Sequence, residues 1–188
     1  VWTLGLCPTP AVPGLIRRYS AAGGLMVSAS HNPPEDNGIK VFGATGSKLS
    51  PERQQAIEAG LCGGDGAGIA LAASGVARHR PELLDDYRAS LLSSVGQQRL
   101  DGVPIVLDLC WGSATACGAE VFSALGADLT VLHGDPDGTR INVNCGSTHL
   151  EALRRAVMEK GAAMGFGFDG DADRMLAVDG QGRVVDGD

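Results

Sequence analysis

The sequence has 188 residues, 44% of them hydrophobic and 20% charged, enough apolar material for one domain or two small ones. A formal charge of −7 with no dense Lys/Arg cluster argues against a nucleic-acid partner. No apolar run approaches the roughly 20 residues of a membrane-spanning helix and no leader-like segment is visible, so a soluble, cytoplasmic protein with no membrane partner is expected.

In chain order, "VWTLGL" reads as a strand followed by the Pro-rich turn "CPTP", and Val12, Leu15, Ile16 and Tyr19 fall at helical spacing before Gly23 and Gly24. Strands are expected at Leu25 to Val27 and Ile39 to Phe42, with "GATG" as a hairpin turn. Ser50 before Pro51 is an N-cap signal, which predicts a helix from Pro51 to Ala59. The Gly-rich stretch 60–75 lacks G-x-G-x-x-G order and is expected to be a loop without a cofactor role. A helix from Pro81 to Leu92, carrying Leu83, Leu84, Tyr87 and Leu91 on one side, leads into the candidate linker "SSVGQQRLDG".

A second α/β unit then begins. "VPIVLDL" and "DLTVL" are strands, with helices at Ala114 to Leu125 and Leu150 to Lys160 closed by Gly126 and Gly161. Thr148 and Glu151 stand at capping-box spacing. "AAMGFGF" and "MLAV" are further strands flanking an acidic loop. The alternation predicts two three-layer α/β/α units with mostly parallel, mixed sheets, spanning 1–97 and 98–188. Ligands in such sheets gather at the carboxyl ends of strands, where Ser30 and Asp169 both stand. The cysteines Cys7, Cys62, Cys110, Cys117 and Cys145 form no C-x-x-C pair and read as small buried hydrophobes.

In "GFGFDGDADR", Asp169, Asp171 and Asp173 alternate with Gly170 and Ala172, which leave room for a tight bend. Crowded carboxylates without His or Cys suit Mg²⁺ or Ca²⁺. An EF-hand would need Gly where Arg174 stands and Glu where Gly180 stands, so a phosphate-handling Mg²⁺ fits better; a solvated acidic turn, as at "VDGQG", is the plain alternative. In "SASHNPPEDNGIK", Ser30 is the candidate phosphoryl-carrying nucleophile on a loop stiffened by Pro33 and Pro34, and His31 and Lys40 are candidate acids or bases. A phosphoserine carries about −1.5 to −2 charges, so beside three aspartates it requires a bridging divalent cation.

These two motifs resemble the phosphoserine and metal loops of the α-D-phosphohexomutase family, and "PDGTRINVNCGSTHLEALRRAV" is most similar to its branch acting on glucosamine phosphates. The resemblance spans nearly the whole chain. It implies a Mg²⁺-dependent isomerase that interconverts glucosamine 6-phosphate and glucosamine 1-phosphate through a sugar 1,6-bisphosphate, in peptidoglycan precursor metabolism. Ser30 would be phosphorylated and, with Asp169, Asp171 and Asp173, would hold the metal. His31 and Lys40 would serve proton transfer and Arg174 would steady the phosphoryl charge, with the division between His31 and Lys40 open. Glucose or mannose phosphates are the same-family alternatives, and the resemblance leaves a homodimer open. Family members have four domains, of which this chain would supply the later part of the first and most of the second, so the isolated chain is expected to be inactive. Two rivals stand beside this reading: an aspartyl-phosphate phosphatase, argued against by Asp173 where that motif wants Thr or Val, and a non-catalytic phosphosugar- or metal-binding module. Trp111 departs from the family's small or amide residue, and local repacking is expected there.

Overall fold

The computed structural model describes residues 1–62 and 75–187; most of the Gly-rich stretch, including the central part of its expected loop, lies outside the described residues. In the N-terminal part, β1 (Trp2–Thr3) pairs in parallel with β4 (Arg78–His79), and β2 (Gly23–Val27) pairs antiparallel with β3 (Ile39–Gly43). Helix α1 (Ala11–Tyr19) buries Val12, Leu15 and Ile16, the side its spacing predicts. It packs with Cys7, Phe42 and Leu84 into one core, joined by Met26 and by Tyr87 of α3 (Leu83–Ser94). Helix α2 runs from Pro51 to Cys62, past the expected end at Ala59, and the Ser50 carbonyl accepts the Gln54 N–H at 2.9 Å.

The strand expected over "VWTLGL" shrinks to two residues, and the mostly parallel sheet expected here is replaced by two separate two-stranded pairs. The loop 28–38 returns the chain directly beside β2, which enforces antiparallel pairing. Leu25, Val27 and Ile39 line the face away from α1 and are about two-thirds exposed, at 67%, 68% and 70%.

The C-terminal part is a five-stranded sheet ordered β6-β5-β7-β8-β9, built from β5 (Pro104–Asp108), β6 (Asp128–Leu132), β7 (Met164–Phe168), β8 (Met175–Asp179) and β9 (Val184–Val185). β5, β6 and β7 run parallel, β8 pairs antiparallel with β7, and β9 pairs antiparallel with β8. Ile105 and Leu107 face a core with Phe122 of α4 (Gly118–Ala124), whereas Val106 faces Leu153 and Val157 of α5 (Glu151–Lys160). Burial on both faces explains why β5 is apolar throughout Ile105 to Leu107. The alternation in "MGFGF" has the same origin: Met164, Phe166 and Phe168 fill the α4 side. On the other side a Cβ on Gly165 would lie 2.6 Å from Val157 Cγ2, so glycine there lets α5 approach closely.

Two local expectations give way. The helix expected over Ala114 to Leu125 is broken at Cys117 (φ −153°) into a 3₁₀ turn, Ser113–Ala116, and α4; the Ser113 N–H, a helix-start donor with no intrahelical partner, bonds the Gly170 carbonyl at 2.8 Å, which ties the first turn to the acidic loop. Thr148 does not cap α5. It ends a separate 3₁₀ turn, Gly146–Thr148, and Leu150 takes the N-cap position without a side-chain bond. Gly161 closes α5 in the left-handed conformation, as its type predicts. Cys7, Cys110, Cys117 and Cys145 are buried free thiols, in keeping with their reading as small hydrophobes. No described helix is long and apolar enough to cross a membrane.

Candidate active site at the meeting of two loops

The Ser30 loop leaves the carboxyl end of β2 and the acidic loop leaves the carboxyl end of β7. The fold brings them into contact across 139 residues: Ser30 Oγ donates to Asp169 Oδ2 at 2.7 Å. Ser30 is held at φ +57°, a conformation rare for a residue with a side chain, and its N–H is taken by Ser28 Oγ at 2.9 Å. Ser28 therefore shapes the turn that presents Ser30.

In the acidic loop, Ala172 adopts φ +55° and donates its N–H to the Asp169 carbonyl at 3.0 Å. The tight bend gathers one carboxylate oxygen from each of Asp169, Asp171 and Asp173 to within 4.8 Å of one another. Asp169 and Asp171 are fully buried or nearly so, while Asp173 is partly exposed. Burial pushes the Asp169 carboxyl up, against the Ser30 hydroxyl and Arg174 N–H that it accepts, and its two acidic neighbours add to the rise. Asp171 is also buried, but bonds from Lys40 and Thr9 outweigh that and hold it below the usual carboxylate range. Lys40 Nζ lies 2.5 Å from Asp171 and 2.9 Å from Asp173. Partial burial acts against its charge, yet the two carboxylates raise it above the ordinary lysine value. Asp171 Oδ1 is buried without a hydrogen-bond partner among the described residues. An orphaned, ionised oxygen inside three converging carboxylates suits a hard divalent cation.

Not every expected site residue converges. The side chain of His31 is exposed and makes no hydrogen bond to a described residue. Arg174 uses its backbone N–H on Asp169 Oδ1 at 3.1 Å, while its guanidinium projects outward with Nε 3.9 Å from Asp173. Conversely, two contributors carried no assignment in the sequence. Thr9, in the "CPTP" turn, donates its hydroxyl to Asp171 Oδ2 and its N–H to the Asp171 carbonyl at 2.9 Å. Asn142, in "NVNCGSTH", reaches both loops. A second cluster of ligand-type groups, Asp108, His133 and Cys145, lies behind the site. Both Asp108 oxygens are already occupied, by the N–H groups of Cys110 and Gly146 and by His133 Nδ1, so this cluster is a hydrogen-bonded buttress. Trp111 stacks against Arg140, whose guanidinium lies 3.7 Å from the ring centre.

The sequence profile of phosphoglucomutase/phosphomannomutase α/β/α domain I matches residues 1–64, and that of domain II matches residues 85–182. The chain belongs to the phosphoglucomutase/phosphomannomutase family. It is 97% identical over its full length to a phosphoglucosamine mutase of Synechococcus sp. (strain CC9311), spanning 41% of that relative's length. Its fold superposes with a TM-score of 0.76 on the crystal structure of a family protein from Burkholderia thailandensis, at 25% identity, covering 98% of this chain and 41% of the other. It also resembles an Aspergillus fumigatus N-acetylphosphoglucosamine mutase solved in complex with GlcNAc-6P and magnesium, with a TM-score of 0.54 at 18% identity, covering 95% of this chain and 49% of that one.

Proposed function

We propose that this chain supplies the phosphoserine and metal loops of a Mg²⁺-dependent phosphoglucosamine mutase, cytoplasmic, that interconverts glucosamine 6-phosphate and glucosamine 1-phosphate through a bound 1,6-bisphosphate. The observation that carries the reading is the 2.7 Å contact between Ser30 Oγ and Asp169, at the mouth of three convergent carboxylates. The name of the 97% identical relative supports the choice of glucosamine. The magnesium of the Aspergillus fumigatus protein supports the choice of ion. The same reading keeps 1–97 and 98–188 as two units, with α3 packed on the α1 core of the first.

Asp169, Asp171 and Asp173 would hold the magnesium, joined by Ser30 once it carries a phosphoryl group. The ion would supply positive charge to the phosphoryl oxygens, lowering the repulsion between them and the carboxylates. Ser30 Oγ acts as nucleophile, and its hydroxyl proton already points at Asp169 Oδ2. Lys40, fixed between Asp171 and Asp173, places a cation beside the transferring group. We assign Lys40 the phosphoryl-side role on geometry, since it reaches the acidic loop. His31 and Arg174, both turned outward, are left for approach of the phosphosugar.

The test uses a full-length protein carrying this sequence, with the remainder taken from the 97% identical relative. Incubation with labelled glucosamine 1,6-bisphosphate is expected to leave an acid-stable label that Ser30→Ala abolishes along with turnover. Coupled assays with glucosamine, glucose and mannose 1-phosphates are expected to rank glucosamine first. A hydroxylamine-labile label would move the chemistry to Asp169 and a phosphatase, and the absence of both label and turnover would leave a binding module.

A further inference from the structure

Asn142 is 8% exposed and sits at φ +61° between the two loops. Its Nδ2 donates to the backbone carbonyls of Ser30 and Asn32, each at 2.8 Å. Its Oδ1 accepts the Gly170 N–H at 3.0 Å and the Cys110 S–H at 3.2 Å. Two donors and two acceptor sites are the full capacity of an amide. Turning the amide over would set its oxygen against two carbonyls and its NH₂ against an N–H, so one orientation is enforced. The loops have no slack at this point: a Cβ on Gly170 would lie 2.6 Å from the Ser30 carbonyl oxygen and 2.9 Å from Asn142 Nδ2.

Among the described residues, the other bonds that hold the acidic loop to the Ser30 loop and to β3 come from reacting groups. Ser30 Oγ donates to Asp169, and Lys40 pairs with Asp171 and Asp173. When Ser30 Oγ carries a phosphoryl group it has no proton left to donate, and the added charge draws on the same cations. Those bonds therefore change at each half-reaction. The bonds of Asn142 run to backbone carbonyls and a backbone N–H, which the chemistry does not alter. We propose that Asn142 is a positioning residue that clamps the Ser30 loop to the acidic loop, fixing the distance from Ser30 Oγ to the three carboxylates in both phosphorylation states. This inference rests on phosphoryl transfer at Ser30.

The experiment compares wild type, Asn142→Ala and Asn142→Asp in the full-length protein, reading kcat, KM, half-saturating Mg²⁺ and amide exchange. A misplacement near 1 Å lowers kcat on the order of 100-fold, so Asn142→Ala is expected to lose about that factor. KM for the phosphosugar stays within about twofold, because Asn142 acts through the loop, and half-saturating Mg²⁺ rises. Asn142→Asp keeps the acceptor for Gly170 and loses both donors. It is therefore expected to release exchange protection over 28–38 while protection of the acidic loop persists, a selectivity that general destabilisation would not produce. A kcat within about threefold of wild type, or equal loss of protection throughout the chain, overturns the clamp. Should neither variant fold, the wild type decides: the side-chain amide protons of Asn142 exchange slowly if the clamp is closed, and rapid exchange overturns it. Wild type without label or turnover would sink the mutase reading, and the exchange pattern would still report on the clamp.

Discussion

Replacing Lys40 by Met tests the electrostatics of the site most directly. Three carboxylate oxygens lie within 4.8 Å of one another, and at that separation each pair of charges repels by about 3.5 kcal/mol at an effective dielectric of about 20. Lys40 is the cation that bonds two of them, with Asp171 only 2% exposed. Removing one partner of a buried pair costs about 3 kcal/mol at the lower end of its range, the appropriate end here because Asp173 stays 26% exposed. For a chain of this size that corresponds to a fall in Tm of roughly 6–12 °C. Mg²⁺ at about 100 times the variant's Kd returns about 2.7 kcal/mol, nearly the whole loss, and returns less to wild type at the same concentration, because Lys40 already neutralises two of the carboxylates there. Lys40→Met should therefore melt well below wild type in EDTA and regain most of the difference as Mg²⁺ is added. Thermal unfolding across a Mg²⁺ series measures both. Equal melting in EDTA, or equal Mg²⁺ stabilisation of variant and wild type, would refute the assignment of Lys40 as the neutralising cation.

Gly146→Ala and Gly161→Ala form a matched pair, since both positions have positive φ. At Gly146 a Cβ would meet the Phe168 carbonyl at 2.3 Å and Cys110 Sγ at 2.4 Å, whereas nothing lies within 4 Å at Gly161. Urea unfolding should show about 1–2 kcal/mol lost at Gly161 and more at Gly146, where overpacking adds about 1–3 kcal/mol; equal losses would show that the described packing behind the acidic loop is wrong. Asp137, bonded by Thr139 and Arg140, has its pKa lowered from 3.8 to about 2. A depressed carboxylate stabilises the fold above its unfolded value and gives that up as pH falls towards its folded one, so the turn at 137–141 should loosen between pH 3.8 and about 2. NMR titration of the Asp137 carboxyl checks this, and a midpoint at 3.8 would contradict it.

What was legible in the sequence was chemistry concentrated in short segments. Three aspartates separated by Gly170 and Ala172 announce a tight acidic bend, and Ser30 on the loop that carries Pro33 and Pro34 announces a presented hydroxyl. Thr9 and Asn142 were not legible as site residues, because their roles arise from contacts across 162 and 112 residues. Asn142 stood in a segment singled out for its resemblance, yet nothing local distinguishes a clamp amide from a turn asparagine. Period-based readings held where a strand is buried on both faces, as in β5 and β7. They failed at element starts, where the backbone turns at Cys117 to split one expected helix and where Thr148 ends its own short turn and does not cap α5.

The β2–β3 ribbon, bare on one side, has a consequence for synthesis of the protein. Two-stranded ribbons are at best marginally stable by themselves, and the loop they carry takes its shape from bonds to Asn142 and Asp169, far downstream. During translation, then, the serine leaves the ribosome long before the residues that frame it. On the proposed function, a sugar bisphosphate would prime Ser30 only after the 98–188 unit has folded against it, so the phosphate would report that these two units have come together.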